Sequence, residues 1–300
     1  YPRKGGEELM RTQQGLIVHK KEGMWRQTFK RLVKNPMAML GLGIVLLLVL
    51  LSFLAPVITP YTYTEMDLKA MNKGPSDAHW FGTDSLGRDL FSRLIYGGRY
   101  TLGLGFGACA ISTIIGILLG SVAGYFGTWV DNLVMRFCDI IQSIPGQLLC
   151  LIISATLGVG YGNTIIALAI GGIARTVRLL RGSILSVRKE EYLEAGLSIN
   201  CSAWRIMFKH LLPNVLSPII VSFSMGIGGT IMVAAGLSVL GLGVQPPTPE
   251  WGAMLADGRD LMRNYPYQVL FPGLMILIAV MGFNLLGDGL RDALDPKLKK

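Results

Sequence analysis

Three carboxylates, Glu190, Glu191 and Glu194, fall within five residues of one another in a charged stretch set between long apolar runs. As the first turns of a helix, they sit where carboxylates complement the helix dipole. Ala195 and Gly196 follow and give that helix a smooth face able to enter a groove on another protein. Asn200 tolerates the left-handed conformation that ends a helix. The chain is expected to turn there into a second amphipathic segment, ending at Leu212-Pro213 where the next apolar run begins. A rigid helix–turn–helix of this kind transmits a push. An ordinary solvated loop helix fits the same residues, and the segment alone does not choose between them.

A second concentration of charge runs Phe81-Gly82-Thr83-Asp84-Ser85-Leu86-Gly87-Arg88-Asp89, with Arg93 just beyond. Gly82 and Gly87 bracket a compact turn, and Asp84 or Ser85 is placed to cap a helix from Leu86 onward. Gly82, Thr83, Asp84, Gly87, Arg88, Asp89 and Arg93 form either a docking surface or gate at an outer mouth, or an ordered turn whose charges pair locally. Gln245, Pro246 and Pro247 lie in a rigid loop leading to Trp251, a residue suited to a membrane–water interface. Arg136 and Asp139 stand one helical turn apart, close enough to pair.

Catalytic and cofactor chemistry finds no footing. The Gly-Lys pair of a phosphate loop occurs nowhere, so ATP is not bound by that route. His19, His79 and His210 are scattered, and no HExxH, GxSxG or CxxC occurs. Cys109, Cys138, Cys150 and Cys201 have neither metal nor redox spacing. No catalytic, cofactor or metal site is therefore expected in this chain.

The elements that must position these residues are membrane spans. The 300 residues are 51% hydrophobic and 16% charged, with mean hydropathy +0.48, unlike a soluble enzyme. No Lys, Arg, Asp or Glu occurs in 35–64, 100–130, 140–174, 210–249 or 264–287. A bilayer core needs roughly 20 apolar residues as helix, so each run holds a span. The run 140–174 is too long for one and is broken by Gly158-Val159-Gly160-Tyr161-Gly162-Asn163. Six helices result, near residues 37–57, 101–125, either side of the break, 215–237 and 270–286. Pro145-Gly146 predicts a kink in the third. Gly116, Gly120 and Gly124 recur every fourth residue, giving the second a bare face for close helix packing.

Charge supports that count. With the N-terminus inside and six spans, 21 of the 28 Lys and Arg residues fall on the cytoplasmic side, as the positive-inside bias requires. The net charge of +9 then needs no nucleic-acid partner. Polar residues up to Lys34 argue against a cleaved signal peptide. Trp25, Phe29, Leu32 and Val33 lie opposite Arg26, Lys30, Arg31 and Lys34, as in an interfacial helix on the inner leaflet or a simple lead-in to the first span. Arg136, Asp139, Arg175 and Asp288 are expected toward the cytoplasmic ends, leaving the midplane uncharged. Ion-coupled carriers place an acid there, so energy is expected from outside this subunit.

Four separated segments carry a family resemblance. They are Phe81 to Asp89 with Ser92-Arg93; Gly124-Tyr125-Phe126-Gly127 with Asp131, Met135-Arg136 and Asp139; Glu194-Ala195 through His210-Leu211-Leu212-Pro213-Asn214; and Leu240 to Pro247 with Trp251-Gly252, closing on Phe283 to Pro296. Together they resemble the oligopeptide/dipeptide/nickel permease family of ABC importers, in its second-subunit branch. The resemblance implies an all-α integral membrane protein with the type I importer permease fold, six transmembrane helices and both termini cytoplasmic. The divisions are an arm with an interfacial helix (1–36), the first transmembrane helix with a long external loop (37–98), and a core of five transmembrane helices (99–300) holding the coupling loop at 188–213.

It also implies partners: a homologous second permease, two ATP-binding subunits gripping the loop around Glu194, an extracytoplasmic solute-binding protein at the outer loops, and the lipid bilayer of a prokaryotic cytoplasmic membrane. ATP and magnesium would sit on the ATPase subunits. Short peptides are the expected substrate and nickel the alternative; an ion-coupled secondary transporter is the competing class. Two residues depart from the family pattern. Glu194-Ala195-Gly196 stands for its Glu-Ala-Ala, and Asn200 replaces its loop glycine. Both changes are compatible with the turn, in a slightly softer helix.

Overall fold

Where the chain is apolar without interruption it becomes long helix. In the computed structural model, the described residues are 24–188, 190 and 201–294, and a bridge between Thr83 and Asp89 is their only strand-like pairing. The helices are α1 (Met24–Lys34), α2 (Pro36–Phe53), a short α3 (Ala55–Ile58), α4 (Leu90–Phe126), α5 (Thr128–Gln142), α6 (Gly146–Leu157), α7 (Tyr161–Val187), α8 (Ala203–Val239), α9 (Trp251–Arg259) and α10 (Tyr267–Leu294). Five of them, α2, α4, α7, α8 and α10, are long and apolar enough to cross a membrane. The place of the sixth expected span is taken by a bent pair: α5 and α6, which together are long and apolar enough to cross, meet at an angle of 84°. Pro145 offers no N–H and cannot continue a helix, so the expected kink is a full break.

Local chemistry sets the boundaries. Asn35 separates α1 from α2, its side chain accepting from Met37 N at 3.1 Å and Ala38 N at 3.2 Å, with Pro36 at the first helical position. Gly158 and Gly160, with φ of 84° and 145°, make the reversal between α6 and α7 in backbone regions that favour glycine. α4 begins at Leu90, eleven residues before the expected second span. Its cap is Asp89, whose carboxylate accepts from Ser92 N at 2.7 Å, and not Asp84 or Ser85.

α8 also corrects an expectation. No break occurs at Leu212-Pro213; the helix runs through both. Residues Ile206–Leu211 widen into a π-turn, and Leu212 N donates to Met207 O. The widened turn lies immediately before Pro213, which has no N–H to give.

The bundle centres on α4 against α7. A Cβ on Gly116 would lie 2.5 Å from Thr176 Cγ2, on Gly120 2.9 Å from Val177 O and on Gly124 2.7 Å from Ile184 Cγ2. The fourfold glycine spacing is thus a close helix contact. At one end, here the cap end, residues 60–89 and α9 cover the bundle around Leu90, Leu94, Trp251 and Met254. At the other end α7 leads to the stretch before α8. α5 presents Trp129, Leu133, Phe137 and Ile140 outward, all exposed.

Candidate functional site

The sequence-predicted charged residues of the cap end are brought together, and they are buried. Asp84 Oδ1 accepts from Leu86 N and Arg88 N, each at 2.9 Å, and its Oδ2 accepts from Arg88 Nε at 2.6 Å. Arg93 Nε lies 3.6 Å from the same oxygen, and Arg93 Nη1 donates to Tyr63 O at 3.2 Å and Pro247 O at 3.5 Å. Asp257 closes the group, 3.7 Å from Arg88 Nη2, so two cations face two carboxylates. Burial raises the Asp257 carboxyl above its ordinary value, while Arg93 and Arg88 pull it down. Asp89 pairs with His79 Nδ1 at 3.0 Å. The Thr83 hydroxyl donates to Ala70 O and accepts from Lys73 N at 2.9 Å. Gly82 and Gly87 have φ of 81° and 72°, and a Cβ on Gly87 would strike Asp67 O.

Arg88 and Arg93 are only 2% and 1% exposed. Asp84, Asp89 and Thr83 are buried with them, so these side chains pair locally and do not themselves form a docking face. Gln245, Pro246, Pro247 and Trp80 are among the groups exposed at this end. Trp251 is not at an interface either. It is fully buried, and its Nε1 donates to Leu94 O at 2.8 Å.

Sequence reasoning missed Glu250, the fully buried cap of α9. Its carboxylate accepts from Gly252 N and Ala253 N at 2.8 Å, from Ser238 Oγ at 3.0 Å and from Thr101 Oγ1 at 3.2 Å. One group thus ties α4, α8 and α9 together. Glutamate is not among the preferred N-cap residues, so no local pattern marks it.

Two hollows lie among the spans. One, of about 440 Å³, is bounded by α4, α6, α7 and α8, and Ser112, Thr113, Gln147, Arg175, Ser222 and Thr230 are among its lining residues. The other, of about 610 Å³, is almost wholly apolar between α2, α4, α8 and α10. Arg99 at its rim donates to Ser52 O at 2.6 Å and Phe53 O at 2.9 Å. Arg175 is the first charge after the uncharged run ending at 174, and α7 continues twelve residues past it, through Arg178 and Arg181.

At the opposite end, Arg136 is 4.0 Å from Asp139, and the tighter partner of Asp139 is Arg178 at 2.5 Å. The expected pair is therefore loose, and the closer bond joins α5 to α7. Arg181 grips Asp131 with two nitrogens, one at 2.6 Å. Glu190 is exposed, its N–H bonded to Val187 O at 3.1 Å. Glu191, Glu194, Ala195, Gly196 and Asn200 lie outside the described residues. Leu212 and Pro213 lie inside α8. Near its start, the exposed rings of Trp204 and Phe208 stack at 5.5 Å.

Comparison with known proteins fits this architecture. Residues 116–300 match the family described as binding-protein-dependent transport system inner membrane component. Residues 23–75 match the N-terminal TM domain of oligopeptide transport permease C. The dipeptide transport system permease protein DppC of Alkalihalophilus pseudofirmus is 46% identical over 275 residues, covering 92% of this chain and 90% of that one. The glutathione transport system permease protein GsiD of Pectobacterium atrosepticum is 45% identical over 276 residues, 92% of each. Its counterpart in Escherichia coli O157:H7 is 47% identical over 276 residues, 92% of this chain and 91% of that one. Among solved structures, the MetNI methionine ABC transporter in inward-facing form aligns with a TM-score of 0.56 at 18% identity, over 68% of this chain and 96% of its own. That likeness bears on the fold alone. Matched over its helical core and its N-terminal segment alike, this multi-pass chain belongs to the inner membrane component family of binding-protein-dependent transport systems, in its oligopeptide permease C branch.

Proposed function

We propose that this chain is one of two permease subunits of an ATP-driven importer of short peptides. The observation that carries the substrate is near-full-length identity of 45–47% to permeases named for dipeptide and glutathione transport. A hollow of about 440 Å³ whose wall mixes apolar side chains with a few polar ones suits a small, hydrogen-bonding solute. A homologous permease completes the pathway. Two ATPase subunits, which bind ATP and magnesium, dock around Glu194, and the exposed Trp204–Phe208 stack near the start of α8 extends the surface offered to them. An external binding protein delivers peptide to the cap end, where Gln245, Pro246, Pro247 and Trp80 are exposed. The excess of basic residues in the arm, the 175–213 region and the C-terminal stretch favours both termini in the cytoplasm. ATP binding draws the ATPases together, and the loop passes that movement to α7 and α8.

The test is transport by proteoliposomes holding this chain, its partner permease, the ATPases and the binding protein, offered labelled di- and tripeptides and, separately, nickel. ATP-dependent peptide uptake is expected. Nickel uptake without peptide uptake overturns the substrate, and uptake by this chain alone under an ion gradient overturns the pump. In the same system Glu194→Lys is expected to weaken ATPase recovery with the complex; unchanged recovery and transport would remove Glu194 from the docking surface.

A further inference from the structure

Among the described cations that line a hollow between the helices, Arg175 is the one without a bonded partner. Arg178 and Arg181, within two turns on the same helix, bond Asp139 and Asp131. Arg93 and Arg99 bond carbonyls at the cap end. Arg175 makes neither an ion pair nor a side-chain hydrogen bond among the described residues, and it is exposed to the 440 Å³ hollow. It stands about 21 Å along α7 from Tyr161 and about 18 Å from Val187, at 1.5 Å per residue. Arg178 and Arg181, one and two turns farther on, hold the ion pairs of the opposite end, so Arg175 stands where the apolar part of α7 gives way to that end. A guanidinium at such a boundary is kept where it meets water or a ligand.

The wall around it is built to leave room. No Asp or Glu lines the hollow; the other polar groups are neutral. The hydroxyls of Ser112, Thr176 and Thr230 are turned back onto carbonyls of their own helices. A Cβ on Gly146 or Gly229, both on this wall, would meet nothing within 4 Å. Those glycines differ from Gly116, Gly120 and Gly124, where a neighbouring helix fills the space. The hollow thus combines one net positive charge, neutral hydrogen-bonding groups and unfilled volume.

We propose that Arg175 receives the C-terminal carboxylate of a peptide in transit, making the hollow an anion-selecting station on the pathway. The assignment rests on the peptide-import reading above. A planar guanidinium takes a carboxylate with two parallel bonds, which an ammonium does not reproduce. The C-terminal amide of the same peptide offers no negative charge and is discriminated against.

The test uses the assembled importer without its binding protein, so that only the permease selects. Gln147→Cys puts a thiol on the wall of the hollow, and soluble maleimide labelling at position 147 is read by mass spectrometry. Dialanine, dialanine amide and acetate are titrated as protectants. Dialanine is expected to protect at a concentration about tenfold or more below that of its amide, the discrimination of a charge-assisted bond. Adding Arg175→Gln brings the two together, and Arg175→Lys leaves an intermediate ratio. Equal protection by acid and amide overturns the station, as does a ratio unmoved by Arg175→Gln. Acetate protecting as well as dialanine reduces it to a site for any small anion. If Arg175→Gln fails to assemble, the acid-to-amide ratio in the Gln147→Cys complex decides alone; parity there assigns Arg175 to a contact with the second permease. ATP-driven dialanine uptake with the binding protein restored is measured beside it. Uptake together with parity sinks the station and spares peptide import, whereas no uptake of any peptide sinks the reading beneath it.

Discussion

Glu250 gives the sharpest test of how the cap end is held. Its carboxylate is fully buried and accepts four hydrogen bonds, two from backbone N–H groups of α9 and two from hydroxyls on α4 and α8. In Glu250→Ala the hydroxyls of Thr101 and Ser238 can rotate toward helix carbonyls, but the N–H groups of Gly252 and Ala253 cannot. Two orphaned buried donors at about 1–3 kcal/mol each, with the lost tie between helices, come to roughly 3–5 kcal/mol. Glu250→Gln keeps an oxygen for Gly252 and Thr101 and turns an NH2 group toward Ser238 and Ala253. Ser238 can adapt by accepting, so a single N–H is stranded, at about 1–3 kcal/mol. Relief from burying a charge offsets part of that. At about 2 °C per kcal/mol for a chain of this size, the Ala variant melts roughly 6–10 °C lower and the Gln variant roughly 2–6 °C lower. The assay is thermal unfolding of the purified complex followed by size-exclusion fluorescence, all variants at one heating rate because such unfolding is scan-dependent. An Ala variant within about 2 °C of the parent, or Gln and Ala variants equally damaged, would refute the reasoning.

Two further outcomes follow from the packing and the charges. Gly120→Leu drives carbon into the backbone at Val177 O and is expected to cost about 1–3 kcal/mol or more. Gly236→Ala, whose Cβ meets nothing within 4 Å, is expected to be neutral or slightly stabilising by helix propensity; the same melting assay compares them, and equal behaviour contradicts the α4–α7 contact. Asp257, raised above its ordinary 3.8 by burial, holds its proton more tightly folded than unfolded. Its contribution to stability is therefore lost as pH rises from that ordinary value through the raised one. Melting followed from pH 7 down to about the ordinary 3.8 should show the parent gaining on Asp257→Asn as pH falls, and a difference that stays constant over that whole range contradicts it.

The spans were legible because membranes impose a blunt rule: charge interrupts, apolar runs cross. The rule locates a span without saying where its helix stops. α7 shows this, since it continues as a polar helix through Arg175, Arg178 and Arg181 beyond the uncharged run. α4 likewise begins at Leu90, because Asp89 caps it and Arg93 finds carbonyls, so its polar first turns stay helical. The fourfold glycines and the Gly158–Gly160 reversal were readable because each has one dominant physical use. The burial of Arg88, Arg93 and Trp251 was not, because it depends on residues far along the chain: Asp257 for Arg88, and Leu94 for the Trp251 ring. Glu250 is a further case, with partners 149 and 12 residues away. The loop expected to couple, 188–213, was the opposite: conspicuous in sequence, with its carboxylates Glu191 and Glu194 outside the described residues.

The two ends of the bundle are held by different kinds of bond, and this sets where it can move. At the cap end, Glu250, Arg88, Arg93 and the Trp251 ring are buried, and giving up their partners would strand polar groups away from water. At the opposite end the pairs Arg178–Asp139 and Arg136–Asp139 are exposed, where an ion pair contributes at most about 1 kcal/mol. Two interruptions of helix also lie away from the cap: the 84° break between α5 and α6, and the π-turn Ile206–Leu211. Displacement applied near the start of α8 should therefore be absorbed at those breaks while the cap stays fixed. Hydrogen exchange on the assembled importer, with and without a non-hydrolysable ATP analogue, tests this directly. Amides of residues 84–93 and 250–254 are expected to stay protected alike in both states, and those of 143–146 and 206–212 to change. If exchange changes most at the cap, the buried network is the moving part, and the division of labour between the two ends is the reverse of the one argued here.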